Sequence, residues 1–262
     1  MLDNISYYDL EKISRDALFH AAKIALDLKE KVLVKYKSQN QPVTQADIKI
    51  DDYLKSFFSI KTPNFGWLSE ESCDDGSRLN SEFFWCLDPI DGTRSYINGK
   101  PEYTISLALL KNSNPLMGMI LNPETEEFFF AKKKCGAFCN GKKISVNQKK
   151  NIDFCSYAIS NSETKKLSEF SFINDKNVVK MGSIAYKIAL VAKGKIDVAL
   201  SFTRKNDWDL AAASLIIEEA GGKIKKICGN DITYNTSDLR IDSVIASNFS
   251  LFSELKKKLN RI

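Results

Sequence analysis

The chain has 262 residues, of which 44% are hydrophobic and 27% charged, enough apolar material for one large globular domain or two tightly joined smaller ones. The net charge is +5, but lysines and arginines are interleaved with acidic residues and the Lys132–Lys134 run is short, so no clustered basic stripe marks a nucleic-acid footprint. No apolar stretch approaches the roughly 18 residues that span a bilayer, and Met1–Leu10 has no apolar leader core, so a soluble, cytoplasmic protein is expected.

Leu10, Ile13, Ala17, Ala21, Ile24 and Leu28 recur at three- and four-residue steps and predict a first helix. His20, the one histidine, borders that face and reads as a packed or half-exposed helix residue. A second helical pattern follows Pro42 and contains Ile50, Tyr53, Leu54, Phe57 and Phe58. Short apolar runs then predict strands at Phe65–Leu68, Phe83–Leu87, Thr104–Leu110, Leu116–Leu121 and Phe128–Ala131. Turn signals fall at Lys111–Pro115 and at Asn140-Gly141, so the middle of the chain reads as an antiparallel meander. Beyond residue 150 the pattern alternates. Strands are expected at Ser156–Ser160, Val178–Met181, Val198–Phe202 and Ser243–Ala246. Helices are expected at Ile184–Val191, Leu210–Ala220 and Leu251–Leu259, the middle one stopped by Gly221-Gly222. The expected architecture is an α+β or α/β arrangement of helices and sheets in alternating layers, in two halves, 1–150 and 151–262.

The six cysteines read as reduced thiols. Cys135 and Cys139 stand four apart, but a single distant histidine and no second cysteine pair leave no tetrahedral zinc set.

The densest chemical signal is Trp85-Cys86-Leu87-Asp88-Pro89-Ile90-Asp91-Gly92-Thr93. An apolar strand runs into two carboxylates three apart, and Pro89, which lacks a donor, is expected to take the chain out of the sheet. Two carboxylates held at a strand end repel each other unless a cation lies between them, which suits a hard, oxygen-liganded ion such as Mg2+. Gly92 and Thr93 are expected to open a short helix whose backbone N–H groups can face an anion. A turn in which Asp88 and Asp91 only satisfy local N–H groups is the alternative. Two further acidic clusters are weaker by themselves: Ser69-Glu70-Glu71-Ser72, and Asp207-Trp208-Asp209 opening a helix. Asp47, in Thr44-Gln45-Ala46-Asp47, reads most simply as a helix N-cap, and so does an acid at the start of the later helix.

In this order, the four clusters resemble the inositol monophosphatase family, over roughly Pro42 to Gly222. The resemblance implies a layered α-β-α-β-α sandwich, a lithium-sensitive, Mg2+-dependent phosphatase, and commonly a homodimer. It assigns Glu70, Asp88 and the Ile90 carbonyl to a first Mg2+. Asp88, Asp91 and Asp209 hold a second, and Glu70 helps to hold a third ion through water. Gly92 and Thr93 donate backbone N–H groups to the phosphate. Asp47 and the Thr93 hydroxyl, aided by Glu70, polarise the attacking water in two-metal phosphoryl transfer. Gly182 and Ser183 correspond to a loop beside the substrate alcohol, although Ser183 also reads as a helix N-cap.

Ser69 and Ala213 stand where the family usually has glycine. More informative is Ser201–Asn206, which lacks the glutamate that family members acting on inositol place several residues before Trp-Asp. Arg204 and Lys205 in that stretch favour a more anionic ligand. They bring the chain nearer to the bacterial 3′(2′),5′-bisphosphate nucleotidases, unless they are loop surface charges. The expected substrate is thus a small phosphorylated compound: an inositol monophosphate, 3′-phosphoadenosine 5′-phosphate or histidinol phosphate, with fructose 1,6-bisphosphate a lesser option. A reading of another class is a regulatory protein that keeps this fold and associates with RNA or the transcription machinery.

Overall fold

The computed structural model describes residues 7–38, 41–170 and 172–259. Residues 1–6, most of the segment in which the sequence shows no leader core, lie outside them. Seven α-helices are present among the described residues: α1 (Tyr7–Lys29), α2 (Gln45–Lys61), α3 (Ser77–Asn80), α4 (Thr93–Ile97), α5 (Ile184–Ala192), α6 (Asp207–Glu219) and α7 (Phe249–Leu259).

A seven-stranded sheet carries the strands Gly66–Ser69, Phe83–Asp91, Thr104–Lys111, Asn114–Asn122, Glu127–Lys132, Gly136–Cys139 and Lys142–Ile144, side by side in chain order. The first pair is parallel and the rest are antiparallel, so the expected meander is present. A mixed five-stranded sheet has the order Val178–Lys180, Tyr157–Ile159, Val198–Ser201, Val244–Asn248 and Gly222–Lys226.

The layering follows from where each strand buries its two faces. In strand Phe83–Asp91, Phe83, Trp85 and Leu87 join the core formed with α1 and α2. Phe84 and Cys86, at the alternate positions, join the core formed with α5 and α6. A strand buried on both sides needs apolar residues at both parities, which is why its sequence is a continuous apolar run. The five-stranded sheet lies beyond α5 and α6, giving Ala158, Ala199 and Ala246 to that inner core. It gives Tyr157, Ile159, Val198, Leu200 and Ile245 to an outer core closed by Leu251 and Leu255 of α7. Five alternating helix and sheet layers result, as expected.

Three local readings need correction. The chain does not leave the sheet at Pro89. The strand continues to Asp91, and the pairing shifts register so that Asp88 stands opposite Ser106 and Asp91 opposite Thr104. Two residues, Pro89 and Ile90, against one, Ile105, make a bulge, which absorbs a residue that cannot donate to the ladder and re-aims the side chains beside it. Asp47 is not the N-cap of α2: Thr44 is, and Asp47 closes a capping box by accepting from the Thr44 N–H. Asp209 likewise sits in the first turn of α6, where its Oδ2 accepts from the Asn206 N–H at 2.5 Å. In both helices the carboxylate lies a turn inside, which leaves its second oxygen for other work.

Phe84 is fully buried between the seven-stranded sheet and the α5/α6 layer. Phe84→Ala should therefore destabilise the protein by about 3–5 kcal/mol, read as a lowered urea midpoint at unchanged slope. A midpoint within error of the parent would contradict the central position given to this layer contact.

Candidate metal and phosphate site

Backbone pairing builds the site. Strand Gly66–Ser69 runs parallel to Phe83–Asp91 with Ser69 opposite Leu87, so the next residues, Glu70 and Asp88, emerge side by side. The Glu70 N–H donates to the Leu87 carbonyl at 3.2 Å and holds that exit. The bulge then carries Asp91 onto the same side, and the first turn of α6 brings in Asp209 from the C-terminal half. The nearest carboxylate oxygens of Asp88, Asp91 and Asp209 all lie within 4.8 Å of one another.

This arrangement is electrostatically costly. Asp88 and Asp91 are buried. Burial first, then the charges of Glu70, Asp91 and Asp209, push the Asp88 carboxyl well above its ordinary value. Asp209 is raised by burial and by Asp91, with Lys205 opposing. Asp91 is raised by burial, although the Ser183 hydroxyl and the Ala185 N–H donate to its Oδ2 at 2.5 and 2.6 Å. Asp88 Oδ1 is buried and has no hydrogen-bond partner among the described residues. Three clustered acidic groups with an orphaned oxygen among them fit a hard divalent cation, whose ligands are carboxylate oxygens and whose charge would remove the repulsion.

The loop before α5 supports Asp91. Ser183 has φ 48°, caps α5 by accepting from the Tyr186 N–H at 2.9 Å, and lies 3.0 Å from Thr104 Oγ1. Both sequence readings of Ser183 meet in one residue. It is the N-cap, and it lines the cavity with its hydroxyl committed to Asp91. Gly182 and Gly92 are required by close approach. A Cβ on Gly182 would lie 2.1 Å from Ser95 Oγ, and one on Gly92 would lie 2.9 Å from both the Glu102 carbonyl and the Ser183 nitrogen.

Asp47 and Thr93 form the neighbouring pair. Asp47 Oδ2 accepts from the Thr44 N–H and hydroxyl at 2.8 and 2.5 Å. Its Oδ1 lies 3.5 Å from Thr93 Oγ1, which also donates to the Ile90 carbonyl at 3.1 Å. Burial raises the Asp47 carboxyl to about 6; the Thr44 hydrogen bonds oppose this, and the Glu70 charge adds to it.

A cavity of about 590 Å3 opens on the cluster, a volume suited to a small-molecule ligand. Of the residues singled out from sequence, Glu70, Asp88, Ile90, Asp91, Gly92, Thr93, Gly182, Ser183, Lys205 and Asp209 line it. Asp47 reaches it through Thr93. Arg204 does not line it; its side chain is exposed and 4.0 Å from Asp242. Glu70, beside Asp88 but not one of the three mutually close carboxylates, is paired with Lys37 at 3.1 Å, and the same ammonium lies 2.7 Å from Glu71. Lys37 was not legible as a site residue, because it reaches Glu70 from a hairpin, Val34–Ser38 with Gln41–Thr44, that the apolar pattern did not reveal.

The chain is similar to known proteins over most of its length. The family model described as the inositol monophosphatase family matches residues 6–261. An inositol monophosphatase of Dictyostelium discoideum is 30% identical over 237 residues, covering 86% of this chain and 85% of the relative. A 3′(2′),5′-bisphosphate nucleotidase, CysQ, of Haemophilus influenzae is 28% identical over 222 residues, covering 81% and 82%. The solved structure of a Thermotoga maritima IMPase superposes with a TM-score of 0.85 at 26% identity, covering 97% of each chain.

If the carboxylate cluster takes a divalent cation, millimolar Mg2+ should raise the melting temperature of the protein. Saturation at one hundred times Kd corresponds to about 2.7 kcal/mol of stabilisation. Asp88→Asn should abolish the shift. A melting curve indifferent to Mg2+ would count against the site.

Proposed function

The chain belongs to the inositol monophosphatase family and is a phosphoric monoester hydrolase, and we propose that Asp88, Asp91 and Asp209 hold one Mg2+ while Glu70, Asp88 and the Ile90 carbonyl hold a second. The observation that carries this reading is the meeting of three carboxylates around the unpartnered Asp88 Oδ1. Mg2+ bound there supplies Lewis acidity toward a phosphoryl oxygen and toward water.

The residues of the chain do the rest. Asp88 would belong to both ligand sets. Ser183 and the Ala185 N–H fix Asp91 in one orientation. Gly92 lets the chain turn tightly enough for the backbone N–H groups at the start of α4 to face the phosphate. With the Ile90 carbonyl given over to a metal ion, the single Thr93 hydroxyl proton would turn from that carbonyl to Asp47 Oδ1, and the hydroxyl oxygen would accept from the attacking water. Asp47, anchored at its other oxygen by Thr44, orients that water and takes its proton. Direct attack by water needs no protein nucleophile, which agrees with the lack of a histidine or cysteine lining the cavity among the described residues. Lithium inhibition and a homodimer are part of the same proposal, resting on family membership alone.

Phosphate release from inositol 1-phosphate in the presence of Mg2+ tests it. Asp88→Asn should lower kcat/KM by at least about a thousandfold, as expected for loss of a charge that organises the transition state. Thr93→Ala should lower kcat by about 10²–10⁴-fold, the usual worth of positioned proton transfer, with an unchanged melting temperature. Wild-type turnover in Thr93→Ala would remove Thr93 from the proposed pair.

A further inference from the structure

Asp209 commits one carboxylate oxygen to the Asn206 N–H, so its position follows the residues just before it. Those residues are held by the long connection between strands Gly222–Lys226 and Val244–Asn248. Lys205 pairs with Ile241 and Asn206 with Arg240, and the Asn235 N–H donates to Asp207 Oδ2 at 2.6 Å. Asp207 Oδ1 is buried and has no hydrogen-bond partner among the described residues, so the Asp207 carboxylate depends on that one bond. The connection is itself anchored. Tyr234 and Ile241 join the inner core, and the Tyr234 hydroxyl meets that of Ser214 in α6. The start of α6 is thus gripped immediately before its metal-ligand candidate.

The same connection is tied to the strand that delivers Glu70. Arg78 lies on α3, in the link between Glu70 and strand Phe83–Asp91. A Cβ on Gly66 would lie 2.6 Å from Arg78 Cα and 2.8 Å from its nitrogen, and the Trp67 N–H donates to Ser77 Oγ at 3.2 Å. The backbone at Arg78 is thereby seated on strand Gly66–Ser69, close to its exit at Glu70. The Arg78 side chain, 2% exposed, reaches from there to the connection. Its Nη1 donates to Asn235 Oδ1 at 2.8 Å and to the Thr236 carbonyl at 3.1 Å, and Asn235 Nδ2 donates back to the Arg78 carbonyl at 3.3 Å. Its Nε donates to Asp74 Oδ2 at 2.9 Å, so the buried charge is paired. A planar guanidinium bonded in fixed directions to several acceptors sets a distance, as a rotating ammonium does not. Asn235, at φ 59°, serves both sides at once, its N–H to Asp207 and its side chain to Arg78.

We propose that Arg78, Asn235 and Asp207 form a clamp that fixes the first turn of α6, and with it Asp209, against the strand ends that carry Glu70 and Asp88. All three are positioning residues, and none of them lines the cavity. The clamp joins the two halves of the chain, so carboxylates delivered by different halves keep their spacing before a cation arrives. It rests on the metal reading above and accounts for what holds the ligands of that site in register. A group that holds a metal ligand in place is typically worth about 10–100-fold in metal affinity.

The test is Mn2+ uptake by the metal-free protein, followed by loss of the free-ion EPR signal, in wild type, Asn235→Gly and Arg78→Lys. Glycine adopts φ 59° without strain and keeps the N–H that Asp207 accepts, but it loses the side-chain bonds with Arg78. Lysine keeps the charge of Arg78 and loses its fork. Neither substitution changes the net charge, so a change in affinity reports geometry. Each should weaken at least one bound Mn2+ by about tenfold or more. The melting temperature in EDTA is the control, because a merely structural contact lowers it and leaves the Mn2+ affinity of the folded protein unmoved. Weakened binding in either folded variant supports the clamp. Wild-type binding curves in every variant that folds overturn it, and so does failure of both to fold, which marks the contacts as structural; the metal reading stands in either case. If wild type takes up no Mn2+, that reading fails instead, and metal-free crystals of the variants decide. An Asp209 carboxylate moved beyond 4.8 Å from those of Asp88 and Asp91 keeps the clamp, and one still in place removes it.

Discussion

Three carboxylates held within a few ångströms of one another, two of them buried, dominate the physics of this molecule. Such a group opposes folding through desolvation and through like-charge repulsion, and each contribution raises the others' proton affinity. The fold tolerates it because the ligands come from rigid places. Asp88 and Asp91 sit on a strand buried on both faces, and Asp209 sits in the first turn of a helix enclosed between two sheets. The stability lost at the cluster is offset by the layers around it, and a bound cation turns the repulsion into attraction.

The same constraint explains the supporting contacts. Glu70 is registered beside Asp88 by one parallel strand pair, and Asp91 is pinned by a serine that also caps α5. The capping boxes of α2 and α6 use one carboxylate oxygen each and leave the other directed elsewhere, so elements that stabilise helices also orient site residues. The glycines at 92 and 182 are there because the strand end, the Glu102 carbonyl and the Ser183 loop approach too closely for a side chain. Lys205 adds a positive charge to the lining of the same cavity, so one cavity presents both signs.

Much of this was legible in the amino-acid sequence. The run Trp85–Leu87 followed by Asp88 and Asp91 announced a strand delivering carboxylates, whereas Asp209, by itself read as a helix cap, was legible as the third only through the resemblance to the family. Periodicity located α1, α2, α5, α6 and α7 and most strands of the larger sheet. What escaped it was long-range or conformational. Pro89 looked like a strand terminator, since sequence does not show that a bulge can keep it in the sheet. The strand Gly222–Lys226 was hidden because Gly221-Gly222 served as a helix stop, and its Lys-rich pattern carries little apolar signal. Glu163 could not be linked to Phe202 and Thr203, 39 and 40 residues away, nor Lys37 to Glu70, 33 residues away, without the tertiary structure. Arg204 and Lys205 looked equivalent, and only the two-residue strand Lys205–Asn206 leading into α6 separates the one that lines the cavity from the one that faces solvent.

The most direct test of the central claim is the position of a divalent cation in a crystal of the protein soaked with Mn2+, located by anomalous scattering. The account predicts an anomalous peak coordinated by carboxylate oxygens of Asp88, Asp91 and Asp209, with the formerly orphaned Asp88 Oδ1 among its ligands. A fully soaked crystal with no peak there, or with the ion held elsewhere while the three aspartates remain in place, would contradict it.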